Sequence, residues 1–193
     1  MSLILASNSQ IRRAMLEQAG LEFEVRSPEF DEEEVKRAFE GDSEILARTL
    51  AAGKAASLAA NSGDWVIGSD STVTVDGVRY SKPGDRDEAA THLRSFSGRT
   101  MLLSSAVALA RKGNVEWVHT ETAKLHWRSL SEQFINAYLD QEWPEVSYCV
   151  GVFRMEGRGV TLFDRVEGSH FTILGMPLLP LLGALRDRGQ MPS

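Results

Sequence analysis

The sequence contains a single cysteine, Cys149. An internal disulfide is therefore excluded, and the chain suits a reducing compartment. Long apolar runs are missing too. None approaches the roughly 18 residues of a membrane span, so no membrane partner is expected. The opening MSLILAS is too short and uncharged for a signal peptide, which makes the cytoplasm the expected location. Positive charge is scarce: 21 Lys and Arg stand against 27 Asp and Glu, a net charge of −6. Such a surface repels a long polyanion, so a nucleic-acid polymer is not an expected partner. A small anion would have to be held by a few placed cations. The four histidines show no metal-ligand spacing, and neither G-x-x-x-x-G-K-[ST] nor G-x-S-x-G occurs. There is no repeat, low-complexity tract or linker.

What is present is ordinary for a globular chain of 193 residues, 42% hydrophobic and 25% charged. One domain over 1–193 is expected, long enough to bury roughly 70% of its unfolded surface without metal or disulfide. LILA (3–6) reads as a buried strand. Residues 10–19 carry apolar groups at helical spacing, closed by Gly20. LEFEV (21–25) alternates as a second strand, and 27–42 reads as an acidic loop with at most one helical turn. The Ala-rich stretch 43–60 is a helix capped by Asp42 or Ser43. WVIG and TVTV read as strands, with Asp76-Gly77 as a hairpin turn. Asp85 caps a helix to about Ser95. Residues 101–127 form two strands about Lys112-Gly113-Asn114, 129–140 is an amphipathic helix, 159–168 is a strand, and Pro177 opens a last helix to about Arg188. Helices and strands interleave, with hairpins among them, so the expected class is α/β with a mixed sheet.

Six stretches offer chemistry, each with a plainer alternative. In ASNSQIRRAML (6–16) a strand becomes a helix, where free N–H groups and the helix dipole favour an anion. Ser7, Ser9, Arg12 and Arg13 could complete a phosphate cradle. Equally, Ser9 could be an N-cap and the arginines solvated. In VIGSDSTV (66–73), Asp70 follows a buried strand, where an unpaired carboxylate is costly. It is expected at the strand's exposed end, able to hold Mg²⁺ or orient a water; a turn aspartate is the alternative. Lys54 in LAAGKAASLAA either lies on a solvated stripe or reaches an anion, and Lys82, held extended by Pro83, is either a placed cation or a surface lysine. The acidic EFDEEE (29–34) could supply a second metal ligand or be a solvated loop, and in the Gly-rich VFRMEGRG (152–159) Glu156 is a candidate base reader or a loop glutamate in water. The tryptophans at 65, 117, 127 and 143 are expected in the core.

The order of these pieces carries more than any one of them. LILASNSQIRRAML, GKAASLA, VIGSDSTV, YSKPGDRDEAATHLRSFSGRT and GVFRMEGRGVTLFDRVEGSHFTILGMPLLPLL together resemble the Maf family of nucleotide pyrophosphatases, from Leu3 to about Leu182. The resemblance implies a mixed, largely antiparallel, twisted sheet with flanking helices and two lobes around a cleft, similar to inosine triphosphate pyrophosphatases. It implies cleavage of nucleoside triphosphates between the α and β phosphates with a divalent metal (Mg²⁺, Mn²⁺ or Co²⁺), and a possible homodimer. By position, Asp70 would be the general base and a metal ligand, with Glu32 as metal helper. Ser7, Ser9, Arg12, Lys54 and Lys82 would hold phosphates, and Ser71, Phe153 and Glu156 would face the base. The family pattern S-x-S-P-R-R reads S-N-S-Q-I-R here; Arg12 aligns with its second arginine, and Arg13 is the available substitute for the first. Where pyrimidine-specific members resemble Y-G-I-Q-G, this chain has FRMEG. An ionised glutamate only accepts, which suits the N1–H and N2–H edge of guanine. The run FRMEGRGVTLFDRVEG also looks like the branch acting on 7-methyl-GTP. The rival expectations are a dTTP/UTP or broad pyrophosphatase, and a nucleotide-binding regulator of septum formation without turnover.

Overall fold

The computed structural model describes residues 2–58 and 63–192. Its strands are β1 (Leu3–Ala6), β2 (Glu24–Arg26), β3 (Trp65–Val75), β4 (Val78–Tyr80), β5 (Thr100–Arg111), β6 (Asn114–Trp127) and β7 (Phe163–Glu167). They form one sheet in the order β2-β1-β3-β5-β6-β7, with β4 paired to β3. The sheet is mixed: β1 runs parallel to β2 and β3, whereas β3–β4 and β6–β7 are antiparallel. Asp76 and Gly77 both take positive φ, the two-residue turn that matches strand twist in a hairpin. The helices are α1 (Gln10–Gln18), α2 (Glu32–Ala38), α3 (Ser43–Ala56), α4 (Arg86–Phe96), α5 (Glu132–Glu142), α6 (His170–Ile173) and α7 (Leu178–Arg186). None is long and apolar enough to cross a membrane among the described residues.

The α/β class with a mixed sheet and flanking helices stands as expected, and four local readings are corrected. Residues 65–75 form one continuous strand. The acidic stretch contains a two-turn helix, α2, because Asp31 caps it by accepting from Glu34 N–H. Glu32, Glu33 and Glu34 in its first turn and Lys36 and Arg37 in its last also complement the helix dipole. The 159–168 strand starts at Phe163, after a 3₁₀ turn over Arg158–Leu162. α3 ends at Ala56, and the expected extension to residue 60 reaches outside the described residues.

The chain gathers into two compact units. The first comprises Met1–Ser71, Ser104–Glu121 and His170–Ser193; the second comprises Thr72–Leu103 and Thr122–Ser169. In the first, Leu3, Leu5, Leu16, Trp65, Ile67, Leu109, Met176 and Leu181 form a buried cluster. A separate layer is built from alanines alone, Ala47, Ala51 and Ala55 of α3 against Ala106, Ala108 and Ala110 of β5. Side chains this small let a helix lie close to a sheet. The second unit is held by an aromatic run through Tyr80, Phe96, Trp127, Phe163 and Phe153, with ring centroids 4.7 to 5.0 Å apart at each step.

Candidate active site

Close approach of α3 to β3 creates the central feature of the first unit. Gly68 is the contact point: a β-carbon there would lie 2.2 Å from the Ala51 carbonyl oxygen and 2.4 Å from the Ala55 nitrogen. Only glycine permits that approach. Asp70 follows two residues later on the same face of the strand, and Lys54 lies between Ala51 and Ala55 on the helix. The ammonium Nζ of Lys54 stands 2.7 Å from Asp70 Oδ1 and 2.9 Å from Glu32 Oε1. Lys54 is 5% exposed and Asp70 7%. The solvated-stripe reading of Lys54 is thus overturned. Asp70 is also not at a strand end; it sits inside β3, and the cost of burying it is met by an ion pair instead of by exposure. Glu32, in the first turn of α2, is the partly exposed member, and its other oxygen lies 3.7 Å from Lys36 Nζ. Burial alone would lower Lys36, but the carboxylates of Glu33, Asp70 and Glu32 outweigh it and hold the ammonium above its ordinary value.

The alternate residues of β3 serve a second arrangement. Arg12 Nε donates to the Gly175 carbonyl at 2.9 Å, and Nη2 donates to Ser71 Oγ at 3.2 Å. Ser71 Oγ lies 2.8 Å from Ser105 Oγ, which donates to the Thr172 carbonyl at 2.7 Å. The ends constrain this chain, since guanidinium only donates and carbonyl only accepts. Ser105 thus spends its proton on Thr172, and the single proton of Ser71 goes either to Ser105 Oγ or to the Gly175 carbonyl at 3.2 Å. Burial lowers the Arg12 guanidinium below its ordinary value, against the opposing pull of Asp70 and Glu32, and it remains a cation at neutral pH. Gly175 has φ +105°, and a β-carbon there would meet Ser71 Oγ at 3.3 Å and Arg12 Nη2 at 3.5 Å. That is the physical reason for the glycine in LGMPLL.

The β1–α1 turn is ordered by its two serines. Ser9 caps α1, accepting from Arg12 N–H at 3.5 Å, and its own N–H donates to buried Ser7 Oγ at 3.1 Å. Arg13 does not join the group. Its Nε pairs with Glu17 at 2.7 Å on the exposed face of α1, so the substitute cation of the sequence reading is turned outward. Ser71, expected near a base, instead belongs to the Arg12 network.

The second unit holds the other candidates. Lys82 and Glu156 are exposed. Phe153 is not available to a base: it is 6% exposed and packed edge-on against Phe163, with Trp127 beyond. The loop carrying Glu156 is firmly tied. Val152 takes φ +55°, an unusual conformation for a β-branched residue, and its carbonyl accepts from the buried Tyr138 hydroxyl at 3.1 Å. Burial drives that hydroxyl well above the ordinary tyrosine range. Arg154 donates to buried Glu142 through Nε at 3.1 Å and Nη2 at 2.8 Å. The Glu142–Arg154 pair escaped the sequence reading. Its signal was there, because Ile135, Tyr138, Leu139 and Glu142 repeat at helical spacing on one buried face.

The chain matches the family model described as Maf-like protein over residues 2–188. It is 44% identical over 195 residues to a 7-methyl-GTP pyrophosphatase of Rhizobium meliloti, covering 99% of this chain and 98% of that protein. It is 46% identical over 190 residues to a nucleoside triphosphate pyrophosphatase of Nitrobacter hamburgensis, covering 97% and 94%. Among solved structures, a dITP/XTP pyrophosphatase from Mycobacterium abscessus superposes with a TM-score of 0.40 at 22% identity, over 67% of this chain and 76% of that one.

Proposed function

This chain belongs to the Maf-like protein family, and we propose that it is a nucleoside triphosphate pyrophosphatase, splitting the bond between the α and β phosphates to give a nucleoside monophosphate and pyrophosphate. The observation that carries this reading is the buried Lys54 ammonium shared by Asp70 and Glu32. In the proposed reaction Asp70 accepts a proton from a water. The water oxygen forms a new bond to the α phosphorus, the α–β bridging P–O bond breaks, and its electrons leave with pyrophosphate. Ser7, Ser9, Arg12, Lys54 and Lys82 are assigned to the phosphates. Arg12 commits two of its N–H groups inside the fold, which orients the rest of its planar fork.

A divalent cation such as Mg²⁺, Mn²⁺ or Co²⁺, when bound, supplies charge neutralisation for the triphosphate. Asp70 and Glu32 fit such an ion, since both oxygens already converge on one cationic nitrogen. No three His, Cys, Asp or Glu side chains gather to hold a metal among the described residues. That accords with a hard cation taking one or two carboxylates and completing its shell from phosphates and water.

The preferred substrate in this proposal is 7-methyl-GTP or a related modified guanine nucleotide. Supporting it are the acceptor-only chemistry of Glu156 and the name of the Rhizobium meliloti relative. A mismatched polar edge costs on the order of 1–3 kcal/mol, roughly tenfold to a hundredfold in preference. The test is pyrophosphate release from 7-methyl-GTP, GTP, dTTP, UTP and CTP with each metal, using the native protein and Glu156→Gln. The expected result is preference for 7-methyl-GTP, reduced by the substitution far more than dTTP turnover. An unchanged ratio removes Glu156 from base reading. Preference for dTTP or UTP would replace the substrate but keep the reaction. Nucleotide binding without pyrophosphate release would overturn the reaction itself in favour of a binding protein.

A further inference from the structure

Gly53 is an oddity in its own helix. It lies inside α3, beside Lys54, where alanine would be the better helix former. The structure contains a second helical glycine for comparison, Gly183 of α7, where a β-carbon would meet nothing within 4 Å. At Gly53 the space is taken. A β-carbon there would lie 2.3 Å from Cζ and 2.4 Å from Cε2 of Phe30. The Phe30 ring is therefore seated directly on the bare backbone of α3.

Phe30 stands one residue ahead of Asp31, the N-cap of α2, and two residues ahead of Glu32. None of the residues of α2 is buried, so the place of this short helix depends on what flanks it and on its ion pairs. The ring reaches α3 at the residue next to Lys54, the residue that Glu32 pairs with at 2.9 Å. From these contacts we infer that Phe30 and Gly53 form a steric seat that sets Glu32 at Lys54, making both positioning residues of the site. The inference rests on the proposed function only for its effect on turnover; the seat itself is a statement about α2 and α3.

An alanine at position 53 cannot push the helix backbone aside, because α3 is pinned on its other face by Gly68 and the alanine layer. The ring must yield. It has to move by more than 1 Å to regain ordinary contact distance, and Glu32 moves with it. Alanine's better helix propensity offsets part of the cost of the clash, which keeps the test readable. Misplacing a catalytic ligand by such an amount costs on the order of tenfold to a hundredfold in rate.

The experiment compares the native protein with Gly53→Ala, Gly183→Ala and the double variant Gly53→Ala/Phe30→Val. Thermal melting, hydrogen–deuterium exchange over 28–38 and pyrophosphate release are measured on each. Gly53→Ala is expected to unfold cooperatively, to exchange faster over 28–38 and to lose at least tenfold in kcat. Gly183→Ala is expected to match the native protein in exchange over 28–38 and in turnover. Shrinking Phe30 to valine beside the new methyl should restore kcat to within about threefold, as expected when a clash and not a lost function is the cause. Native exchange over 28–38 in Gly53→Ala overturns the inference, as does failure of the valine to rescue a folded variant. If the native protein releases no pyrophosphate, the proposed function fails, while the exchange measurements still decide the seat.

Discussion

Two buried carboxylates in this protein meet their cations in opposite ways. In the second unit, Glu142 has a guanidinium to itself: Arg154 sends two N–H groups to one of its oxygens. The charges match one to one, and the pair ties helix α5 to the loop that carries Glu156. In the first unit, one ammonium, Lys54, serves both Asp70 and Glu32. There two carboxylates share one ammonium, with Lys36 farther off at 3.7 Å from Glu32, and the ammonium has no fork geometry to lock it to one partner. A matched pair of this kind holds a fold together. Two carboxylates that share one ammonium, with one member partly exposed, are suited to accept a further cation or to give up the lysine to an incoming anion. Under the proposed function, that difference would separate a pair that holds the fold from one that serves the site.

The comparison breaks most sharply at the cations. Arg154→Met strands the carboxylate of Glu142 and should destabilise the protein by about 3 kcal/mol, the low end for a broken buried pair because the guanidinium is a third exposed. Chemical denaturation would measure this, and turnover per folded molecule should change by less than tenfold. Lys54→Met strands buried Asp70 in the same way and should cost comparable stability, but pyrophosphate release per folded molecule should also fall by at least a hundredfold. Similar turnover per folded molecule in the two variants would erase the distinction.

Glu32→Gln is a finer cut. It leaves Asp70 and Lys54 matched one to one, so stability should stay within about 0.5 kcal/mol of native or rise, while turnover falls roughly tenfold to a hundredfold. Native turnover would remove Glu32 from the site. A smaller effect is expected from His92, which packs edge-on against Tyr80 at 5.1 Å with its Nδ1 buried and unpartnered. Burial lowers its pKa below 6.5, against the opposing charge of Glu88. The unfolded chain therefore binds the proton first as pH falls through 6.5. Stability contributed by neutral His92 is present above that value and declines below it. His92→Phe should flatten the dependence of the urea midpoint between pH 7.5 and 5.5; an identical slope in both proteins would count against this.

Much of the framework was legible because it is local. The caps at Ser9 and Asp85, the Asp76-Gly77 turn and the apolar periods of β1 and α1 are written in adjacent residues, and they appear where the sequence places them. Asp70 and Lys54 could be picked out as chemically unusual, since charge beside buried apolar residues demands a partner, whereas Glu32 was reached only through the family resemblance. Which partner could not be read. Arg12 and Arg13 are neighbours of one residue type, yet one turns into the fold to meet Gly175 and Ser71 and the other turns out to Glu17. Phe153 lies in the same stretch as Glu156 but packs into the aromatic core.

The sequence by itself determined the α/β class, the exclusion of an internal disulfide, the lack of a long apolar run, and the short list of candidate residues for phosphate chemistry. Those follow from composition, period and capping, which act over a few residues. Tertiary structure alone decided that one lysine joins two carboxylates, that a run of serines fixes Arg12, and that Glu142 is paired while Glu156 is exposed. Those contacts join segments far apart in the chain, and their existence depends on how closely backbones pack. Two glycines, Gly68 and Gly53, set that closeness on opposite sides of Lys54, and no local pattern announces which atom will fill the space a missing side chain leaves.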